Sequence, residues 1–467
     1  QNALRILKAA LLYATLVGGL ASAITFFGAG TFARFLFHMP LAEMALTTLA
    51  PTIWVMAYLG VFRGYFQGHS TMVPTAISQI LEQIANAGVS VFAAWYLCKT
   101  AAEKYSNIKV IGSYGAAGGT IGTGAGAVVA LLFMLGLFLL SGKSRRALLS
   151  RGKRKKLPLE SYSKITGILI ITVVPVIAST AIYNINSILD NILFGIAMNY
   201  LDRKEDIEFL YGVYAGEYLV LINLPVAISN ALSSSLIPAL SRSWAENARG
   251  MVNAKIAVVI KLACIVSMPC AVGLAVLAEP IMNLLFSKKE GTQVAAYLMM
   301  MGSATIVLYS ISTITNAVLQ GTNHLHVPVK NAARALVYHF VVLGILLFLF
   351  RWDVVGIVFG NMAFALFMCI LNAGAIRKYL AYKQEIFRTY ILPAFCSGVM
   401  GVAVHFSYQM AKRHFHRLAL QTLIPIALAI PVYLLLLVIT KTLTEAELSR
   451  IPGGRLVIGF YKALRLM

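Results

Sequence analysis

Residues 63–79 carry the segments Arg63-Gly-Tyr-Phe-Gln-Gly68 and Val73-Pro-Thr-Ala-Ile-Ser-Gln79, which separate two long apolar runs. The core of this pattern, Gln-Gly followed by Val-Pro, recurs as Gln320-Gly321 and Val327-Pro328 between two other apolar runs. Because the two Gln-Gly pairs lie 253 residues apart, the recurrence indicates a chain built from two related units.

The composition excludes a soluble, a disordered and a disulfide-stapled protein. Hydrophobic residues make up 59% of the 467 residues and charged residues only 12%, whereas a soluble domain carries about 25% charged residues. Mean hydropathy is +0.79. An apolar run of about 20 residues can cross a bilayer, so we predict an all-α polytopic membrane protein with about twelve transmembrane helices. The runs are 9–33, 43–66, 72–98, 114–141, 165–194, 210–238, 256–286, 294–320, 327–350, 354–376, 389–411 and 419–440.

The repeat predicts how many helices of each unit this chain contains. Phe35-Leu36-Phe37 at the end of the first run matches Leu284-Leu285-Phe286 at the end of the seventh, so the units are offset by six runs and share one orientation. Parallel repeats of this kind are typical of transporters. If the second unit begins with the fifth run, the first unit begins two runs before residue 9. We therefore expect a two-lobe 6+6+2 plan in which this chain lacks the first two helices.

The basic residues predict the orientation. Of the 39 Lys and Arg residues, 27 fall on the same side of the membrane as the linker 143–164 and 12 on the other. The positive-inside rule then places the linker and both ends of this chain in the cytoplasm. The net charge of +22 is interpreted as this bias plus attraction to anionic lipid, and not as a nucleic-acid surface. The predicted segments are an amino-terminal lobe with four of six helices (1–142), a basic cytoplasmic linker (143–164), a carboxyl-terminal lobe of six helices (165–376), and two extra helices with a cytoplasmic tail (377–467).

These features resemble the SpoVB and MurJ-type lipid II flippases, in the oligosaccharide-flippase branch of the MATE-like exporter superfamily. The matching stretches are the two segments between 63 and 79, Asn223-Leu-Pro-Val-Ala-Ile-Ser229 and Leu236-Ile-Pro-Ala-Leu-Ser241. The resemblance covers essentially the whole chain. It implies a V-shaped transporter that moves lipid-linked sugars by alternating access, with the last two spans bordering a groove for the polyprenyl tail.

Glu82 lies near the middle of the third span, where an ionisable group costs about 2.5–3.5 kcal/mol on insertion scales. Thr75, Gln79, Glu82 and Asn86 follow one another at i, i+4, i+7 and i+11 and so form one polar stripe on a helix. Exposure of such a stripe to lipid hydrocarbon would be energetically unfavourable. Either it faces a substrate cavity or it hydrogen-bonds another helix.

Two further acids lie in predicted spans. Asp190 and Asn186 share a face of the fifth span near the outer leaflet, where a substrate role and a water-capped structural role are both open. Glu217 lies in the sixth span with Asn223 near its face, and again both roles are open.

Two arginines complete the candidate cavity residues. Arg334 lies two turns into the ninth span, with Asn331 and Tyr338 on its stripe, and its long stem would let it contact a phosphate. Arg63 ends the second span, where anchoring at the membrane interface is the favoured interpretation. The candidate substrate-cavity residues are Glu82, Gln79, Asn86, Asp190, Asn186, Glu217, Asn223, Arg334 and Arg63.

The sequence shows no signature of an enzyme, a cofactor or a metal site. The glycines of the fourth span, Gly118, Gly122 and Gly126, are four residues apart and predict close helix packing. No strand precedes them and no Gly-Lys-Ser/Thr follows, so they do not form a nucleotide loop.

The leading hypothesis is a flippase in the cytoplasmic membrane for an undecaprenyl-pyrophosphate-linked saccharide, with lipid II as the cargo and a proton or sodium as a coupling ion. A diphosphate favours Arg as its partner. The alternative is a cation-coupled multidrug efflux antiporter, a chemistry that Glu82, Asp190 and Glu217 would suit better. The two extra spans and the basic linker argue against it.

The orientation can be tested by cysteine labelling of intact cells. We expect residues 143–164 and 441–467 to be protected from an impermeant reagent and residues 199–208 to react, because the basic loops stay inside. Labelling near Lys153 from outside would reverse the orientation.

Overall fold

The computed structural model describes residues 2–36, 40–69, 71–142, 161–203, 206–286 and 289–442, and within these ranges the chain is helical apart from short turns. Most of the predicted basic linker, 143–160, and the tail beyond 442 lie outside the described residues. The fold is all-helical, as predicted.

The chain divides into two compact units, residues 1–174 and 175–467. The boundary falls inside the helix Tyr162–Tyr200, whose residues from Pro175 onward belong to the second unit. The amino-terminal helices are α1 (Asn2–Tyr13), α2 (Gly19–Thr31), α3 (Glu43–Gly68), α4 (Val73–Ala102), α5 (Ile108–Leu140) and α6 (Tyr162–Tyr200). The remaining helices are α7 (Ile207–Val213), α8 (Leu219–Ala245), α9 (Arg249–Val276), α10 (Ala278–Phe286), α11 (Lys289–Gly302), α12 (Ala304–Gly321), α13 (His326–Gly344), α14 (Val354–Leu380), α15 (Leu392–His414) and α16 (Leu418–Ile439). Single π-helical turns occupy Ala14–Gly18, Phe32–Leu36, Tyr214–Tyr218, Ile345–Leu349 and Phe387–Ile391.

Nine helices in the described ranges are long and apolar enough to cross a membrane, or ten if one bent pair counts as a single span. The sequence predicted about twelve spans. One difference is α4, which is 30 residues long but carries the polar stripe and is not among the nine. The protein is therefore a multi-pass membrane protein, and the count of twelve remains a prediction.

Both copies of the repeated motif lie at the same kind of junction. α3 ends at Gly68 and α4 begins at Val73, while α12 ends at Gly321 and α13 begins at His326. The proline of each copy thus lies in the first turn of a helix, where its missing N–H leaves no hydrogen bond unmade.

Two predicted spans are broken. The span 256–286 is interrupted at Leu277, between α9 and α10. Three residues later Pro280 cannot donate a backbone hydrogen bond, and its ring crowds the carbonyl of residue 276, which favours a break at this point.

The span 294–320 bends by 53° between Gly302 and Ala304. Ile306 N donates to Ser303 O at 3.0 Å, and the Gly302 carbonyl accepts the hydroxyl of Tyr218 at 3.1 Å. A side chain that takes a helix carbonyl in this way is a known cause of a kink.

The glycines of α5 pack against α4, as predicted. A Cβ on Gly118 would overlap the backbone of Ala93 and Ala94, and a Cβ on Gly126 would lie 2.6 Å from Glu82 O. These glycines therefore let the backbones of α4 and α5 approach closely. The close contact fixes the position of α4 against α5.

We expect Gly118→Ala to lower the thermal stability of the protein in detergent, because one added methyl in a packed interface costs about 1–3 kcal/mol. Gly119→Ala is the matched control, since a Cβ there meets nothing within 4 Å. Alanine is the better helix former by about 1 kcal/mol, so the control should unfold at the same temperature or slightly higher. Equal destabilisation by both variants would contradict the packing argument.

Candidate functional site

Arg63 of α3 and Glu82 of α4 form an ion pair inside the first unit. Arg63 Nη2 donates to Glu82 Oε2 at 2.6 Å, and Arg63 Nε donates to Ser78 Oγ at 2.9 Å. The side chains of the pair are only 16% and 12% exposed. Arg63 therefore turns toward α4 and not toward the headgroups that an interface anchor would contact.

The four residues of the polar stripe on α4 do not all have the same surroundings. Thr75 is buried, and Asn86 Oδ1 accepts the hydroxyl of Ser90 at 2.8 Å. Gln79, by contrast, is exposed. Of the two roles open for Glu82, the interhelical contact is present in the structure. Its role in a cavity stays a prediction.

Asp190 of α6 meets a histidine that sequence reasoning did not single out. Asp190 Oδ1 lies 2.6 Å from Nε2 of His339 on α13, and Nδ1 of the same ring lies 2.9 Å from the carbonyl oxygen of Gly360 on α14. Asp190 is 2% exposed and His339 is fully buried. The contact therefore joins three helices of the second unit.

Asn361 of α14 connects this pair to its surroundings. Its Nδ2 donates to Asp190 Oδ2 at 2.7 Å and to the Tyr214 hydroxyl at 3.2 Å. Its Oδ1 accepts from Asn186 Nδ2 at 2.9 Å and from the Tyr309 hydroxyl at 3.0 Å. Asn186 and Asp190 thus share one polar cluster, as their predicted common face required.

Glu217 and Asn223 are not brought together. Glu217 is half-buried in the π-helical turn Tyr214–Tyr218, and a Cβ added to Gly291 of α11 would lie 3.3 Å from its Oε1. Asn223 is exposed on α8. Each of the two remains a candidate substrate-cavity residue, but they do not form one site.

Arg334 is exposed on α13, whereas the residues predicted on its stripe are engaged elsewhere. Asn331 is buried and donates to Asn372 Oδ1 at 2.9 Å. Tyr338 stacks on Phe367 with ring centroids 4.1 Å apart. Arg334 is therefore the member of the stripe whose side chain is exposed, and its contact with a phosphate stays a prediction.

An apolar groove of about 400 Å³ lies in the second unit, between α8, α9, α10, α15 and α16. Only two of its lining residues, Cys270 and Tyr433, have a polar side-chain atom. Representative apolar residues from its walls are Leu224, Gly273, Ile281, Val404, Ala429 and Ile430. We call this feature the apolar groove.

The hydroxyl of Tyr433 points away from the groove for a reason that lies in α9. Pro269 lacks a backbone N–H and leaves the carbonyl of Ile265, four residues earlier, without its helical donor. The Tyr433 hydroxyl donates to that carbonyl at 2.9 Å. The groove wall thereby stays apolar, and α16 is fixed to α9.

Sequence reasoning missed several polar residues inside spans. His339 and Asn361 lie in predicted spans and would have been found by the rule that singled out the acids. Lys261 lies near the middle of α9, within the predicted span 256–286, and is only 6% exposed. No group of three His, Cys, Asp or Glu residues that could hold a metal occurs in the described part of the chain.

The family model for the lipid II flippase MurJ matches residues 3–428 of this chain. The match extends over most of the chain, and the protein therefore belongs to the MurJ family.

Individual relatives agree with this assignment. Stage V sporulation protein B of Bacillus subtilis (strain 168) is 25% identical over 453 residues, which cover 91% of this chain and 80% of that protein. The lipid II flippase MurJ of the same strain is 23% identical over 358 residues, or 75% of this chain and 63% of that protein. A solved structure of the lipid II flippase MurJ in an inward closed conformation covers 92% of this chain and 82% of its own, with a TM-score of 0.60 and 14% identity. The fold is MurJ-like.

The ion pair in the first unit leads to a stability prediction. Glu82→Leu leaves the Arg63 guanidinium buried without its acid, which costs about 3–5 kcal/mol, so we expect a clear fall in thermal stability. The double variant Arg63→Met/Glu82→Leu should recover most of it.

Glu43→Leu is the matched control, because the Arg34–Glu43 pair is 64% and 41% exposed and such pairs contribute about 1 kcal/mol or less. Unfolding of purified protein followed by tryptophan fluorescence measures all three variants. If Glu82→Leu unfolds like the control, the ion pair does not hold α3 to α4.

Proposed function

We propose that this member of the MurJ family moves a lipid-linked saccharide across the cytoplasmic membrane by alternating access, and that its cargo is lipid II. The observation that carries the proposal is the apolar groove, whose walls include both of the last two helices, α15 and α16. A transporter whose cargo is fully polar has no need of such a groove.

The groove suits a polyprenyl tail by location and not by affinity. Each buried CH₂ is worth about 0.8 kcal/mol, but membrane lipid offers the tail the same gain. Net binding to the groove is therefore small. What the groove supplies is a fixed position for the tail while the polar head crosses.

The head requires positive charge, since a diphosphate is bound best by Arg in bidentate geometry. Arg334 is exposed on α13 and is our first candidate for this contact. Arg63 is held by Glu82 in this conformation. It would become available if α3 and α4 separated during transport.

The remaining site assignments are part of the same proposal. The candidate cavity residues Glu82, Gln79, Asn86, Asp190, Asn186, Glu217 and Asn223 are offered as polar contacts or as supports for them. The segments 1–142, 143–164, 165–376 and 377–467 are proposed as four-helix lobe, linker, six-helix lobe and tail-binding pair. The protein acts as a transporter and not as an enzyme.

The test is whether this protein rescues cells that are depleted of their lipid II flippase. We expect the wild type to rescue growth and Gly273→Leu to reduce lipid II translocation at least about tenfold, or about 1.4 kcal/mol. Gly273 lines the groove, and a Cβ there meets nothing within 4 Å, so the leucine side chain starts in open space and takes up groove volume.

Gly398→Leu is the matched control, because Gly398 is an exposed helical glycine with equally open space and lies outside the groove lining. Both variants must accumulate in the membrane to wild-type levels. A wild type that fails to rescue these cells yet lowers their content of a cationic dye would support the antiporter instead.

A further inference from the structure

We propose that Asp190 and His339 together form a proton-binding site, and that loading and unloading of one proton at this pair is coupled to movement of α6, α13 and α14. The coupling to transport rests on the proposed function, whereas the proton site itself does not. The argument starts from the oxygens that surround the imidazole ring.

Both ring nitrogens of His339 face an oxygen that can only accept unless it is itself protonated. Nδ1 lies 2.9 Å from the Gly360 carbonyl, which has no hydrogen to give, so Nδ1 must carry one. Nε2 lies 2.6 Å from Asp190 Oδ1, and this contact needs a hydrogen as well. It belongs either to an imidazolium beside a carboxylate or to a carboxylic acid beside a neutral imidazole.

In both cases the pair holds one proton more than a carboxylate and a neutral imidazole hold. Removal of that proton leaves a single ring hydrogen for two acceptors. If it stays on Nδ1, the lone pair of Nε2 faces the carboxylate, and if it moves to Nε2, the lone pair of Nδ1 faces the carbonyl. One of the two short contacts of His339 must then break.

The broken contact would separate helices. Asp190 belongs to α6, His339 to α13 and Gly360 to α14, so either loss removes a hydrogen bond that joins two of these helices and weakens their junction. Because Asp190 is 2% exposed and His339 is fully buried, a proton can reach the pair only when these helices move. Proton exchange and the conformational change are therefore one event.

Three tyrosines and Glu217 are the other titratable groups near the pair. Tyr214 and Tyr309 bond to Asn361, and Tyr211 lies next to Tyr214 with ring centroids 5.7 Å apart. Phenols ionise only near pH 10. Glu217 shares the turn of Tyr214 but lies against α11. The hydrogen-bond geometry thus assigns the shared proton to Asp190 and His339.

The cluster is linked to the apolar groove through one helix. The span Phe209–Ala245 carries Tyr214, which accepts from Asn361, and Leu224, which lines the groove. These positions are ten residues, or about 15 Å, apart along a helix. Movement at the proton site is therefore transmitted to a wall of the groove.

The proton can be measured without any transport assay. The intact chain in lipid nanodiscs is titrated across about pH 5 to 9, the range in which histidine changes charge. The carboxyl stretch is followed by infrared spectroscopy and the imidazole nitrogens by NMR. We expect the Asp190 carboxyl signal and the His339 ring signal to change together at one pH, because the pair shares a single proton.

Asp190→Asn should abolish the carboxyl change and move the His339 transition by at least about one pH unit, a tenfold change in proton affinity. Asp202→Asn and His405→Gln are matched controls at exposed positions and should leave the transition in place. A transition that persists unchanged in Asp190→Asn would overturn the proposal. So would a transition that follows sodium concentration and not pH.

The double variant Asp190→Asn/His339→Gln separates loss of the proton from loss of folding. A glutamine amide can donate to the asparagine oxygen, so the neutral pair keeps a contact between α6 and α13 but binds no exchangeable proton. We expect it to accumulate normally and to transport at least about tenfold more slowly, with no dependence on a pH gradient. Wild-type rates with wild-type pH dependence would overturn the coupling.

The two proposals can fail separately. If the wild type shows the coupled transition but does not move lipid II, the proton site stands and the proposed cargo falls. If the wild type moves lipid II at a rate that neither pH nor the double variant alters, the cargo stands and the proton coupling falls.

Discussion

Inside hydrocarbon every backbone polar group needs a partner within the protein, and this constraint decides where helices of this chain can be interrupted. Two interruptions illustrate it. The bend at Gly302 is tolerated because Tyr218 donates to the Gly302 carbonyl, and Pro269 is tolerated because Tyr433 donates to the Ile265 carbonyl. In each case a side chain from another helix replaces a lost helical hydrogen bond, so the irregularity also becomes a tertiary contact.

This constraint explains what the sequence could predict. Span positions follow from apolar runs, because lipid acts on each run independently of the others. The break at Leu277 was visible in principle, since Pro280 stands three residues away. The bend at Gly302 was not, because its partner Tyr218 lies 84 residues earlier in the chain. Periodicity also grouped Gln79 with Glu82, although Gln79 is exposed.

The site residues show the same limit more sharply. The rule that an ionisable group within a span needs a reason identified Glu82 and Asp190, but it could not say which reason. Glu82 meets Arg63, so the opposite charges offset each other in this conformation. Asp190 meets His339, 149 residues away, and their contact depends on a proton. The two acids differ in the side chain that each one contacts. Local sequence does not give that partner.

These two pairs place different demands on a transporter. The contact of a guanidinium with a carboxylate is insensitive to pH near neutrality, because neither group changes charge there. The contact of a carboxyl with an imidazole survives only while one proton is shared, and His339 also needs its Gly360 carbonyl. A helix junction of the second kind has two states that differ by a single proton. The span Phe209–Ala245 joins that junction, through Tyr214, to the wall of the apolar groove at Leu224. In the proposed mechanism the proton and the lipid tail therefore act on the same helix, and the proton would supply the direction that a weakly bound tail cannot.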